Sequence, residues 1–210
     1  MNGLKKEIEL RSEILPHERE GIDSKIFAKL SLSPSSFDDR ISVIFLGSIK
    51  DKNFDVRIRI NSKKYTELVL KCGDFHAHDR TEITEQIKPE QFMGFVRLFY
   101  TFGFACKVMR RTTKRFLSPE EEYEIALVDA GSISYLEIEK IIESEAVDTI
   151  QKEREKLQNI LANIGLTPID KKQFDGLCDR LTKKSDWVFS GSPEDYLRLE
   201  SEISSFRSKY

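Results

Sequence analysis

The chain has 210 residues, of which 39% are hydrophobic and 33% charged, and a formal net charge of −2. That length supports one substantial core, and the near-balanced charge excludes a general attraction to nucleic acid or to membrane surfaces. Cys72, Cys106 and Cys178 are odd in number and lack metal-type spacing, which fits a reducing, cytoplasmic setting, and no apolar run approaches the roughly 20 residues of a bilayer span. The charged stretch Met1 to Arg11 has no apolar segment of the kind a signal peptide needs.

Residues 4–15 alternate as a strand and stop at Pro16, and residues 17–30 carry the apolar spacing of a short helix. The Ser- and Pro-rich stretch 32–39 reads as a loop. Short β-like runs follow at 41–46, 54–60, 66–71 and 81–87, with Gly47, Asp51-Lys52-Asn53 and Asn61-Ser62 as turn signals. Residues 89–101 form an expected helix opened by Pro89, and three further strands are expected at 104–116, 121–129 and 134–142. Helical periodicity then takes over at 145–164, 174–181 and 194–206, the last opened by Ser192-Pro193. About eight strands with helices around them imply an α+β fold: an eight-stranded antiparallel sheet closed into a barrel or tunnel, with flanking helices and a C-terminal helical segment.

Several strands carry charge in strict alternation. Glu7-Ile8-Glu9-Leu10-Arg11 and Glu137-Ile138-Glu139-Lys140 each place two carboxylates on one face and aliphatic residues on the other. Arg57-Ile58-Arg59 puts two guanidinium groups on one face, Lys71 ends the next strand, and Glu124 follows Glu122 on a later one. On Lys107–Phe116 one phase carries Lys107, Arg111 and Arg115, the other Arg110 and Lys114. A solvated sheet face also alternates, but it normally mixes in Ser, Thr, Asn and Gln. Here the faces are almost purely Arg, Lys and Glu, with acids at both ends of the sheet and bases between. Closure would set Glu7 and Glu9 next to Glu137 and Glu139. Crowded carboxylates invite a hard cation such as Mg²⁺ or Mn²⁺, and the inward bases suit a chain of phosphates.

These residues resemble the CYTH, or triphosphate tunnel metalloenzyme, superfamily, which includes class IV adenylyl cyclases, thiamine triphosphatases and inorganic triphosphatases. Its opening Glu-x-Glu-x-Lys strand is matched by Glu7 to Arg11, its Arg-x-Arg strand by Arg57 to Arg59, and its Leu-Lys-Gly strand end by Leu70-Lys71-Cys72-Gly73. Arg80-Thr81-Glu82, Gly103-Phe104 and the closing Tyr135-Leu136-Glu137-Ile138-Glu139 follow in the same order. The resemblance spans residues 4–181, so a tunnel domain is expected over 1–181 and a packed C-terminal appendage over 182–210. It implies metal-dependent hydrolysis of a triphosphate small molecule, with cyclisation of ATP or binding without turnover as alternatives. Glu7, Glu9, Glu137 and Glu139 take the catalytic, metal-holding role, helped by Glu124. Arg11, Arg57, Arg59, Lys71, Lys107 and Arg111 hold phosphates. No nucleic-acid or membrane partner is expected, and the chain is read as a monomer or homodimer.

The chain departs from the family pattern at Arg11, where Lys is usual, and at Val128, where an inward carboxylate is expected. His76 and His78 read as a solvated loop, and Trp187 as an anchor for the C-terminal segment.

Overall fold

The structure, a computed structural model, describes residues 6–49, 52–63, 65–72, 81–118, 120, 122–142 and 146–210. Gly73, Arg80, His76 and His78 lie outside the described residues, as do the side chains of Glu7 and Glu82. Nine strands are described: β1 (Lys6–Ile14), β2 (Ser36–Ile49), β3 (Lys52–Asn61), β4 (Thr66–Cys72), β5 (Thr81–Ile87), β6 (Ala105–Ser118), β7 (Tyr123–Asp129), β8 (Ser134–Ile142) and β9 (Trp187–Val188). The helices are α1 (Ile22–Leu30), α2 (Phe92–Tyr100), α3 (Val147–Asn163), α4 (Lys171–Lys183) and α5 (Pro193–Lys209). Among the described residues no helix is long and apolar enough to cross a membrane.

The α+β class and the antiparallel sheet are as expected, and every ladder whose register is described runs antiparallel. The strand order is β1-β8-β7-β6-β2-β3-β4-β5, with β9 on β6. Among the described residues this order ends at β1 and β5, so hydrogen bonds do not close the sheet into the expected barrel. Boundaries also moved. The helix expected from residue 17 starts at Ile22, because the Glu18 side chain accepts from Leu15 N–H (3.0 Å) and holds a turn there. β2 starts at Ser36 inside the expected loop, where the N–H of Ser35 (2.7 Å) and its hydroxyl (3.0 Å) both donate to the Arg115 carbonyl.

The chain divides into two compact units, each discontinuous in sequence: Met1–Phe37 with Thr112–Leu177, and Asp38–Arg111 with Cys178–Tyr210. In the first, the apolar phases of the strands (Ile8, Leu10 and Ile14 on β1, Ile125 on β7, Leu136 and Ile138 on β8) form one core with Ile22 and Ile26 of α1 and Leu157 and Leu161 of α3. Period-two alternation decides this face, and the charged phase is left on the other side. Helix α3 stops at Gly165, φ +80°, where Leu166 N–H reaches the Leu161 carbonyl (2.9 Å) and Gly165 N–H that of Ala162 (3.0 Å). That Schellman closure turns Leu166 into the same core.

In the second unit, Ile41, Val43 and Phe45 of β2, Val56, Ile58 and Ile60 of β3 and Val108 of β6 pack with Phe92 and Val96 of α2. Residues 182–210 belong to this core rather than lying on it: Trp187, Phe189, Leu199, Ile203 and Phe206 are all buried within it. Trp187 sits opposite Val108 in the β6–β9 ladder, a short strand that two residues of sequence could not announce. Helix α5 is opened by Ser192, whose hydroxyl accepts from Asp195 N–H (3.2 Å), with Pro193 at the first helical position.

Gly191, just before this cap, has φ +75°, and a Cβ there would run into the Tyr100 ring, whose hydroxyl donates to the Ser190 carbonyl. Gly191→Ala therefore meets both backbone strain and steric overlap. A loss of at least about 1–2 kcal/mol from conformation alone is expected, read as a lower urea midpoint.

Candidate functional site

In the first unit the ladder registers build a charged face. Glu9 lies opposite Glu139 and Arg11 opposite Glu137, while Glu7 lies opposite Ile141. Across the next ladder Glu139 faces Glu124 and Glu137 faces Ala126; across the third, Glu124 faces Leu117 and Ala126 faces Arg115. Residues opposite one another share a face. One row therefore carries Glu9, Glu139 and Glu124 side by side, and the adjacent row carries Arg11, Glu137 and Arg115. The expected four-carboxylate juxtaposition is displaced: of the pairs Glu7 and Glu9 with Glu137 and Glu139, only Glu9 and Glu139 stand directly opposite.

Arginines interleave with these acids. Arg11 reaches Glu9 through Nη2 (2.6 Å) and donates from Nε to Glu137 Oε1 (2.8 Å), all three side chains being about a quarter exposed. Its Cζ lies 4.8 Å from the centre of the Phe174 ring of α4. Burial works against the charge on Arg11, but Glu137 and Glu9 outweigh it and hold the guanidinium above its usual pKa. Arg115 donates from Nη1 to Glu124 Oε1. The Glu124 and Glu139 end of the face opens into a cavity of about 890 Å³, also lined by Leu117, Glu122, Ile141 and Glu153.

Among the described residues no three His, Cys, Asp or Glu side chains converge into a ready metal cage. The donor chemistry nevertheless fits a hard cation, since the row offers carboxylate oxygens alone. Arg11 and Arg115 hold Glu9, Glu137 and Glu124 in ion pairs.

In the second unit the corresponding face is basic and also internally paired. Asp55, Arg57 and Arg59 share one phase of β3. Asp55 takes Arg57 side-on, from Nε to Oδ1 (2.8 Å) and from Nη2 to Oδ2 (2.6 Å). Arg59 Nε donates to Glu67 Oε2 (2.6 Å), the residue opposite it on β4, and Lys71 stands opposite Asp55. Arg111 shares the Lys107 phase of β6, whereas Arg110 turns to the other face and reaches Glu202 of α5 (3.2 Å). Lys107, expected among the phosphate ligands, is buried and donates to the Leu181 and Lys184 carbonyls at the end of α4 (2.9 and 2.7 Å).

Sequence reasoning passed over Asp55 and named Arg115 by its phase without giving it a role. Asp55 was visible as an acid two places before Arg57, in the same phase, and Arg115 as the third base in phase with Lys107 and Arg111. Val128, the apolar residue at the expected acidic position, is in phase with Glu124 on β7 and buried.

No protein-family model matches the chain, and no curated protein matches its sequence. Solved structures match its fold. A protein from Pyrococcus horikoshii OT3 shares 20% identity over 85% of this chain and 100% of its own, with a TM-score of 0.59. A conserved hypothetical protein from Pyrococcus furiosus shares 14% over 75% and 91%, with a TM-score of 0.55. A provisionally assigned adenylate cyclase from Vibrio parahaemolyticus shares 13% over 81% and 97%, with a TM-score of 0.52. At such identities the likeness is one of fold.

Burial first, then the charges of Arg57 and Arg111, lower the Lys107 pKa from 10.5 to about 8, with Asp55 opposing them. Between these two values the unfolded chain binds more protons than the folded one, so stability rises with pH across that window. Denaturant midpoints measured at pH 7.5 and pH 10 are expected to rise for wild type relative to Lys107→Met, and an unchanged difference refutes the assignment.

Proposed function

We propose that this chain is a triphosphate phosphohydrolase of the CYTH type that depends on Mg²⁺ or Mn²⁺. The observation that carries this reading is the register of β1 on β8, with Glu9 opposite Glu139 and Arg11 opposite Glu137. It supports the motif resemblance on geometry that the motifs alone do not contain. Glu9, Glu124, Glu137 and Glu139 would hold the cation, with Glu7 on the same strand. Bound there, the cation would neutralise phosphate oxygens and make an attacking water more acidic.

In this reading the basic residues of the second unit are the ones suited to bind phosphate oxygens. Asp55 and Glu67 fix the guanidinium planes of Arg57 and Arg59, so less rotamer entropy is lost when a phosphate arrives. Lys71 and Arg111 add charge in the same strand phases. Phosphoryl transfer needs little covalent chemistry from the protein, so positioning and charge neutralisation account for the reaction. Arg11 keeps its proton at any physiological pH, so its part is electrostatic and it serves no general base. Cyclisation of ATP is the second reading, favoured by the fold likeness to the Vibrio protein and disfavoured by Val128 at the expected acidic position.

Purified protein incubated with inorganic triphosphate, ATP or thiamine triphosphate, with Mg²⁺ or Mn²⁺, is expected to release phosphate. Glu137→Ala with Glu139→Ala lowers that release at least about 100-fold, and Arg57→Ala acts mainly on KM. Undiminished release by the double variant refutes the cation assignment. Cyclic AMP as the product replaces hydrolysis with cyclisation. Tight triphosphate binding without turnover under either metal makes the chain a binding module.

A further inference from the structure

Helix α2 has an apolar face that lies open in the second unit. Residues 91–105 carry a single charge, Arg97, in a chain of which 33% is charged. One side of the helix is buried in the core through Phe92 and Val96. Arg97 is taken up by α5, where its Nη2 reaches Glu200 Oε1 (3.1 Å) and its Cζ lies 4.9 Å from the centre of the Tyr196 ring. The side away from the core carries Gly94, Leu98 and Phe102 at intervals of four, with Leu98 51% and Phe102 62% exposed. Phe102 lies in the turn that continues the helix, its N–H reaching the Phe99 carbonyl (3.2 Å). Residues four apart form one ridge of a helix surface.

Two features separate this ridge from scattered exposed apolar residues. The Phe102 ring is already fixed: its centre lies 6.0 Å from that of Phe99 and 6.2 Å from that of Phe104, and Phe99 lies 6.0 Å from the wholly buried Phe45. The exposed ring thus ends a series of contacts that begins in the core, and little rotamer freedom is left to lose on association. Gly94 is the second feature. A Cβ there would meet nothing within 4 Å, so its own chain gives no packing reason for a glycine that weakens the helix. What the missing side chain leaves is open space beside Leu98.

The ridge is complementary to itself. An antiparallel pair of α2 helices with its two-fold axis at Leu98 sets Leu98 against Leu98, and each Phe102 over the open space at the other Gly94. The largest side chain of the ridge meets the absent one, twice. Charge favours the same occupant. An interfacial helix on a lipid surface carries Lys and Arg on its polar face, which this run lacks, and a charged peptide finds no counter-charge on the ridge. A second copy brings no charge to the ridge, and the opposed helix dipoles add a small attraction.

We infer that α2 is the contact of a homodimer in which Phe102 of each protomer is seated over Gly94 of the partner subunit. A single pair of helices buries less than the roughly 1,200 Å² of a stable interface, so the dimer is weak and dissociates at about 10–100 µM.

The test is sedimentation velocity on the full chain between about 1 and 500 µM, for wild type, Leu98→Glu and Gly94→Gln. Circular dichroism and urea midpoints at about 1 µM, where the chain is monomeric, check each fold. Wild type is expected to pass from monomer to dimer across that range, and Leu98→Glu to stay monomeric throughout. Gly94→Gln is expected to weaken association at least about tenfold while holding or raising the urea midpoint, because Gln is the better helix former. A loosened fold would move both readings the same way. Monomeric wild type at the highest concentration overturns the inference, and retention on phosphatidylcholine vesicles would then assign the face to a lipid surface. A dimer that Leu98→Glu leaves intact overturns the interface. A dimer sensitive to Leu98→Glu but indifferent to Gly94→Gln overturns the seating of Phe102. Association is read without substrate, so each of these outcomes leaves the proposed reaction to its own assay.

Discussion

The antiparallel register of β1 against β8 is the constraint on which the charged face depends. Slipping it by one residue would carry Glu9 and Arg11 into the core and expel Ile8 and Leu10, which burial of the aliphatic phase forbids. Slipping it by two would keep the faces but set Glu9 opposite Glu137 and Glu7 opposite Glu139. That register crowds like charges and moves Arg11 away from Glu137. The observed one gives Arg11 a carboxylate on each side and leaves a single opposed Glu–Glu pair between the two strands, Glu9 and Glu139. The segment after α3 fixes it further, because Ile169 N–H donates to the Arg11 carbonyl (2.8 Å) and the Ser12 hydroxyl to that of Thr167 (2.8 Å).

Both units apply the same device on faces of opposite sign. In one, an excess of acids is interrupted by Arg11 and Arg115; in the other, an excess of bases is interrupted by Asp55 and Glu67. Removing one member of such a part-buried pair leaves the other charge uncompensated, which is far more costly than never having had the pair. The internal ion pairs offset part of the charge that these strands carry. For the proposed function they set what a ligand would have to offer: a cation strong enough to compete with guanidinium, and an anion with enough oxygens to compete with carboxylate.

Alternation made much of this legible in the sequence. Period two assigns Ile8, Leu10, Ile58, Ile125 and Ile138 to cores and Glu9, Arg57, Arg59 and Glu139 to the opposite faces, and the structure agrees at each. Register was not legible, because Glu9 is compatible with either Glu137 or Glu139 until Arg11 is considered with it. The extent of closure was not legible either, since strand count does not say which edges meet. Lys107 shows a third limit. Its strand phase is that of a phosphate ligand, yet its ammonium is held by carbonyls 74 and 77 residues away, contacts without a local signature. Trp187 went the other way: the chain's single Trp, read as an anchor for the C-terminal segment, is buried in the second core.

The discontinuous make-up of each unit bears on how the chain is born. β1 finds its partner only when β8 has left the ribosome, and the ladder joins residues as far apart as Lys6 and Ile142. At about 5–20 residues per second, the aliphatic face of β1 waits roughly 6–25 s for that partner. The second unit closes later still, because Leu199, Ile203 and Phe206 follow β8 in the chain. Loop-closure entropy for such separations grows only slowly with length, so the delay falls on folding rate more than on final stability. A nascent β1 whose apolar side chains alternate with Glu9, Arg11 and Glu13 is poorly suited to aggregation while it waits. The charges that serve the mature face also protect the unfinished one.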